Sequence, residues 1–149
     1  MIEQNEIFVF GSNTQGRHGR GAALDAVKLY GAIYGVGEGP QGNAYAIPTK
    51  VGAGKGLWKR SLYQIRRSVK AFLIHAKYSP HLTFKVTRIG CGLAGYTNDE
   101  IAPMFAGAPP NCEFDPEWSD YGLKVWTQPP KEWTKGLNAD TGAEQFSRR

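Results

Sequence analysis

The residues of this chain with chemistry to offer gather around two glycine-rich segments. The first is Gly11-Ser12-Asn13-Thr14-Gln15-Gly16-Arg17-His18-Gly19-Arg20-Gly21, and the second is Gly90-Cys91-Gly92-Leu93-Ala94-Gly95. Glycines let the main chain turn with positive φ and bring bare N–H groups against a ligand, so two such loops at strand ends describe an anion-binding crevice. The ligand class this implies is a nucleotide diphosphate. Gly90, Gly92 and Gly95 would supply N–H groups from one side, and Gly19 and Gly21 from the other.

Four side chains near these loops each carry two readings. Lys50, after Pro48-Thr49, is either a solvated lysine at a strand end, the commoner case for such a lysine taken alone, or an amine that serves the crevice. Asn13 offers donor and acceptor to vicinal hydroxyls, or bridges its own turn; the two roles can coexist. His18 could touch a phosphate or act as an acid, but an exposed loop histidine is the commoner case. Cys91 has no His or Asp following it in a partnering role and reads as a small packed thiol.

The elements that must position these residues alternate between strand and helix. Ile7-Phe8-Val9-Phe10 has no polar interruption, as in a strand buried on both faces of a covered sheet. Beyond the first loop, Ala22, Ala23, Ala26, Val27 and Tyr30 recur at helical spacing, so the helix N-terminus points back at the crevice. Ala44 to Ile47 is a second strand, and Val51 to Lys59 a glycine-bearing surface loop. Ser61 sits as N-cap before Leu62, Ile65, Val69, Phe72, Leu73 and Ala76.

Leu82 to Ile89 makes a further strand ending at the second glycine loop. Thr97 or Asn98 caps a short helix with Ile101, Met104 and Phe105, and Cys112-Glu113-Phe114 reads as an edge strand. The pattern predicts an α/β fold: a three-layer arrangement of a mixed, mostly parallel sheet with helices on both faces. The expected organisation is one domain over residues 1–117 and a Trp-containing extension over 118–149, partly docked or mobile.

Composition bounds the rest. A chain of 149 residues with 41% hydrophobic content suits one core, and a net charge of +5 favours an anionic partner without distinguishing nucleotide from nucleic acid. Two cysteines with no zinc-like spacing and no secretory signal predict a cytoplasmic setting. No apolar run approaches the roughly 18 to 20 residues of a membrane span. Lys59, Arg60, Arg66, Arg67 and Lys70 form a basic stripe, with Lys77 further along the face opposite Leu62, Ile65, Val69 and Phe72; it is either a solvated face or a nucleic-acid contact.

Asn13 followed by glycines at 16, 19 and 21 and a small-residue helix resembles the first ligand loop of macrodomains, the ADP-ribose-binding modules. Ile89 to Gly95, followed by Asp99 to Phe105, resembles their second, phosphate-wrapping loop and its helix; Ile47-Pro48-Thr49-Lys50 and the Ser61 to Phe72 helix complete the pattern. The Walker A lysine and the dinucleotide G-x-G-x-x-G spacing are both missing.

The likeness covers about residues 7–110 and is greatest to the branch of terminal ADP-ribosyl-glutamate hydrolases and DNA de-ADP-ribosylating antitoxins. It implies binding of ADP-ribose or of an ADP-ribosylated macromolecule, either with hydrolysis at C1″ or as a non-catalytic module that binds or senses ADP-ribose or another NAD-derived nucleotide, and with no cofactor or metal. Nucleic acid is a possible partner, and the oligomeric state is open. Lys50 and Asn13 take the catalytic positions of that branch, which implies for Lys50 an amine whose pKa burial and neighbouring cations lower toward use as nucleophile or base. Gly16, Gly19, Gly21, Gly90, Cys91, Gly92, Leu93, Ala94, Gly95 and Tyr96 line the ligand. In the glutamate-hydrolysing members an acid follows Gly-Cys-Gly-Leu, where this chain has Ala94, so Lys50 has no assigned acid partner.

Overall fold

The computed structural model describes residues 5–52 and 58–133. Part of the Val51 to Lys59 loop and the extension beyond Trp133 lie outside the described residues. Five strands, β1 (Glu6–Asn13), β2 (Gly39–Gln41), β3 (Ala44–Lys50), β4 (Thr83–Val86) and β5 (Cys112–Phe114), form one sheet in the order β2-β3-β1-β4-β5. All neighbours are parallel except β2 and β3. The three-layer α/β fold with a mixed, mostly parallel sheet follows from this alternation.

β1 lies at the centre and its side chains divide between two cores. Ile7 and Val9 pack with Tyr45, Ile47, Phe84 and Val86 beneath α2 (Leu62–Lys77). Phe8 and Phe10 face the other way, onto Ala23, Ala26 and Tyr30 of α1 (Gly21–Tyr30) and onto Ala44 and Ala46 of β3. The period of two in a strand thus serves both layers, which is why the run carries no polar residue. Small residues on α1 and β3 leave room for the two phenylalanine rings of β1.

Local signals fix α2. The Ser61 hydroxyl accepts from the Gln64 amide, and the Gln64 side chain accepts from the Ser61 amide, each at 3.1 Å. This capping box satisfies two amides that a helix end would otherwise leave bare. Ser61→Ala is expected to cost about 1 kcal/mol, measured by urea unfolding, with no change in ligand binding. A second capping box, Thr97 with Glu100, starts α3 (Asn98–Ile101), which continues as a 3-10 turn over Ala102–Phe105.

One expected strand, Leu82 to Ile89, is shorter in the structure. β4 stops at Val86, after which the Ile89 amide turns back to the Thr87 carbonyl at 2.7 Å and opens the second glycine loop. The stretch Leu123 to Trp126 contributes only a single parallel bridge, Val125 to Phe114, flanked by bonds from the Phe114 amide to the Lys124 carbonyl and from the Trp126 amide to the Phe114 carbonyl. That bridge covers the outer side of β5, which would otherwise present unpaired groups at the sheet edge.

The tryptophans of the C-terminal part pack on the same body. Trp118 is fully buried against Phe105 and Phe114, and its Nε1 donates to Asn98 Oδ1 at 2.9 Å. The chain then crosses the α1 face of the sheet. Lys85 of β4 reaches the Gln128 carbonyl at 2.6 Å and Glu113 at 3.2 Å, the Lys131 carbonyl accepts from the Tyr30 hydroxyl, and Trp133 Nε1 donates to Asp25 at 3.0 Å. This irregular strap covers the part of the face that α1 does not reach.

Candidate functional site

Both glycine loops emerge at the carboxyl ends of neighbouring strands. The connection from β1 runs through α1 toward β3 on one side, while that from β4 runs through α3 toward β5 on the other. Adjacent strands whose connections part in this way open a crevice between them, the usual ligand position of open α/β sheets. The approach is close: a Cβ placed on Gly11 would lie 3.5 Å from the Gly90 nitrogen and 3.7 Å from Thr49 Oγ1. β1, β3 and the turn after β4 therefore meet at one point.

The first loop is braced from within. The Asn13 side chain accepts from the Arg17 amide at 2.9 Å and donates to the Arg17 carbonyl at 3.0 Å, so its turn-bridging role is the one the geometry displays. Gly16 donates to the Asn13 carbonyl and accepts from the Gly35 amide, and its φ is +70°. A Cβ there would stand 2.4 Å from the Gly35 carbonyl carbon, so Gly16 is a packing glycine as well as a turn. Gly37 closes from the other side, 2.4 Å being all that would separate its Cβ from the Asn13 carbonyl oxygen.

His18 is not the exposed loop histidine expected from its neighbours. It is 1% exposed, edge-on to Phe10, with Nε2 3.0 Å from the Val36 carbonyl and 3.3 Å from Gln41 Oε1. Gln41 Oε1 already accepts from the Ile33 amide, so both partners are acceptors and the proton sits on Nε2. His18 therefore pins the first loop to the 31–41 segment and does not face the crevice as an acid.

Other amides of the loops are uncommitted. Among the described residues, no bond engages the N–H groups of Gly21, Ala22 and Ala23 at the start of α1, nor those of Gly90, Gly92, Leu93 and Ala94. Arg20, the N-cap, provides no side-chain cap, and the first turn of α1 has no acid. A cation at that end opposes the helix dipole, an arrangement that an arriving anion would relieve. Cβ atoms built on Gly19, Gly21, Gly92 and Gly95 would meet nothing within 4 Å, so these four line open space.

The remainder of the second loop is internally tied. Gly95 donates to the Gly92 carbonyl at 3.0 Å and Tyr96 to the Gly90 carbonyl at 2.8 Å. Burial pushes the Cys91 thiol up to about 11, which suits a packed thiol and leaves little thiolate at neutral pH. Leu93 is exposed and Ala94 buried. The Tyr96 hydroxyl donates to the Arg60 carbonyl, and Lys59 Nζ lies 4.1 Å from the Tyr96 ring centre. Tyr96 thus clamps the second loop to the segment entering α2.

Lys50 and Asn13 are register partners across β3 and β1, where a bulge between Ser12 and Asn13 shifts the pairing. Burial, and then the charge of Arg20, lower the Lys50 pKa from its ordinary value. Lys50 thus stands at the base of the first loop, paired with Asn13, with the Arg20 charge near enough to act on it. Arg20 and Arg60 complete the surroundings, and no motif marks either as a residue of this site. Arg60 is held by the Pro48 carbonyl at 2.9 Å and Ser68 Oγ at 2.8 Å.

Among the described residues, no group of three or more His, Cys, Asp or Glu is placed to hold a metal ion, and no helix is long and apolar enough to cross a membrane. No protein-family model matches the chain, and no curated protein does either.

Proposed function

We propose that the crevice binds ADP-ribose or an ADP-ribosyl group in the manner of a macrodomain and hydrolyses the C1″ linkage to an acceptor. The observation that carries this reading is the pair of glycine loops on either side of the strand divergence, with uncommitted amides on both. Amides at the α1 terminus and those of Gly90, Gly92, Leu93 and Ala94 offer a fixed, positive cradle to a diphosphate. Binding energy gathered there, remote from the reacting carbon, positions the distal ribose.

Lys50 is the reacting group. As base, its neutral amine takes a proton from water as the water oxygen attacks C1″ and the acceptor departs with the electron pair of the broken bond. As nucleophile, Nζ itself attacks C1″ as the acceptor departs with the electron pair of the broken bond and the ammonium so formed loses a proton to solvent; water then displaces Nζ from C1″ and releases the sugar. Both routes need the unprotonated amine, and burial and Arg20 favour that form. Asn13, tied to Arg17, shapes the loop beneath the ribose.

Calorimetric titration of the intact protein with ADP-ribose, AMP and NAD tests the binding step. ADP-ribose is expected to bind more tightly than AMP, because the cradle is built for two phosphates. Gly92→Val, which adds bulk in open space, is expected to weaken ADP-ribose binding at least about tenfold, or about 1.4 kcal/mol, without changing the unfolding midpoint. Absence of binding by all three ligands would remove the proposal. ADP-ribose binding without release from any ADP-ribosylated protein or oligonucleotide would reduce it to a binding module, a reading the missing acid at Ala94 favours.

A further inference from the structure

The basic stripe on α2 has no part in the crevice chemistry. Tyr63, Arg66, Lys70 and Lys77 fall within about 60° of one another around the helix and run for about 21 Å along it. All four are exposed, Tyr63 to 67%, and among the described residues none of the three cations lies in an ion pair. No acid interrupts α2 at any position. Tyr78, also exposed, follows at the far end with Lys77 Nζ 5.7 Å from its ring centre.

The same row borders a groove. Lys70, Leu73, Ile74 and Lys77 form one wall, and Pro109 and Pro110 stand opposite, around a space of about 600 Å³. It lies by the chain entering β4 and β5, at the opposite end of the sheet from the glycine loops. At its other end the row begins just after Lys59 and Arg60, the segment that Tyr96 clamps to the second loop.

We infer that this face of α2 is a binding track for single-stranded nucleic acid. Three unpaired cations in file match a phosphate backbone, and an apolar groove between lysines takes a base that a duplex would keep stacked inside. An exposed tyrosine at each end adds a stacking face, the combination by which sequence-tolerant single-strand binders work. An acidic peptide would meet the same charges but would gain nothing from the two tyrosines. The track stands apart from the ADP-ribose reading and does not depend on it.

Fluorescence anisotropy of a labelled oligothymidylate with the full chain tests the track across a salt series. Binding is expected to weaken steeply with salt. The triple variant Arg66→Gln, Lys70→Gln, Lys77→Gln should flatten the log–log slope by about 2, at roughly 0.7 per phosphate contact. Tyr63→Ala should weaken binding roughly tenfold with the slope unchanged. Equal affinity of the triple variant and the parent, with unfolding midpoints matched, would overturn the inference. So would equal binding of a duplex, or displacement by polyglutamate at equal charge. Calorimetry with ADP-ribose on the triple variant should match the parent, which keeps failure here distinct from failure of the crevice reading.

Discussion

Trp118→Ala is expected to lower the unfolding free energy by about 3–5 kcal/mol, a large share of the 5–15 kcal/mol typical of a domain. The indole is fully buried between Phe105 and Phe114, so truncation leaves a cavity on the β5 side of the larger core. It also removes one of three donors converging on Asn98 Oδ1, the others being Arg88 Nε at 3.1 Å and Nη2 at 2.9 Å. Arg88 begins the second glycine loop and Asn98 opens α3, so the loss reaches the crevice as well as the core.

Trp118→Phe separates these two effects. It keeps most of the packing and drops the Nε1 donor, and it is expected to cost about 1–3 kcal/mol. Urea unfolding gives both values. A Trp118→Ala cost below 1 kcal/mol would mean that the residues after Phe114 contribute little to the fold. Hydrogen exchange at the hydrogen-bonded amides of the second loop, Cys91, Gly95 and Tyr96, should quicken in both variants, because Asn98 then holds Arg88, whose carbonyl accepts from Cys91, with one neighbour fewer.

How much of this could be read in the sequence depends on the range of the interactions involved. β1 and β3 are apolar runs, and α2 carries its periodicity and its capping box within a few residues, so all three were legible. The strap from Leu123 to Trp133 has no period, since its groups bind one at a time to Lys85, Glu6, Tyr30 and Asp25 on distant elements.

The bracing of the first loop was hidden for a different reason. Gly16 and Gly37 pack backbone to backbone through side chains that are absent, and an absent side chain leaves no hydrophobic pattern. His18 reads as exposed because its partners, Val36 and Gln41, lie 18 and 23 residues away. The glycine positions of the crevice were legible as a class. Their division into packing glycines (Gly16, Gly37) and space-lining ones (Gly19, Gly21, Gly92, Gly95) needed the fold. Arg20 beside Lys50 likewise follows from α1 beginning where β3 ends, not from any spacing between the two.

Under the proposed chemistry, Lys50→Ala should reduce release of ADP-ribose from a modified substrate by at least about 10²-fold, while ADP-ribose binding changes by less than about threefold, or 0.6 kcal/mol. Lys50→Arg should not rescue, since a guanidinium stays protonated and can neither attack nor accept a proton. The pH profile carries the sharper test. Only the neutral amine works, so the rate should rise with pH through the Lys50 pKa and level above it. Burial and the Arg20 charge both lower that pKa, placing the rise below the ordinary lysine value of 10.5. Arg20→Gln removes the cation, restores part of the lost proton affinity and should move the rise to higher pH, with the plateau rate little changed. A rise that stays in place, or moves to lower pH, would show that the titrating group is not Lys50. Equal turnover by Lys50→Ala and the parent would assign the reaction to another residue while leaving the diphosphate cradle intact.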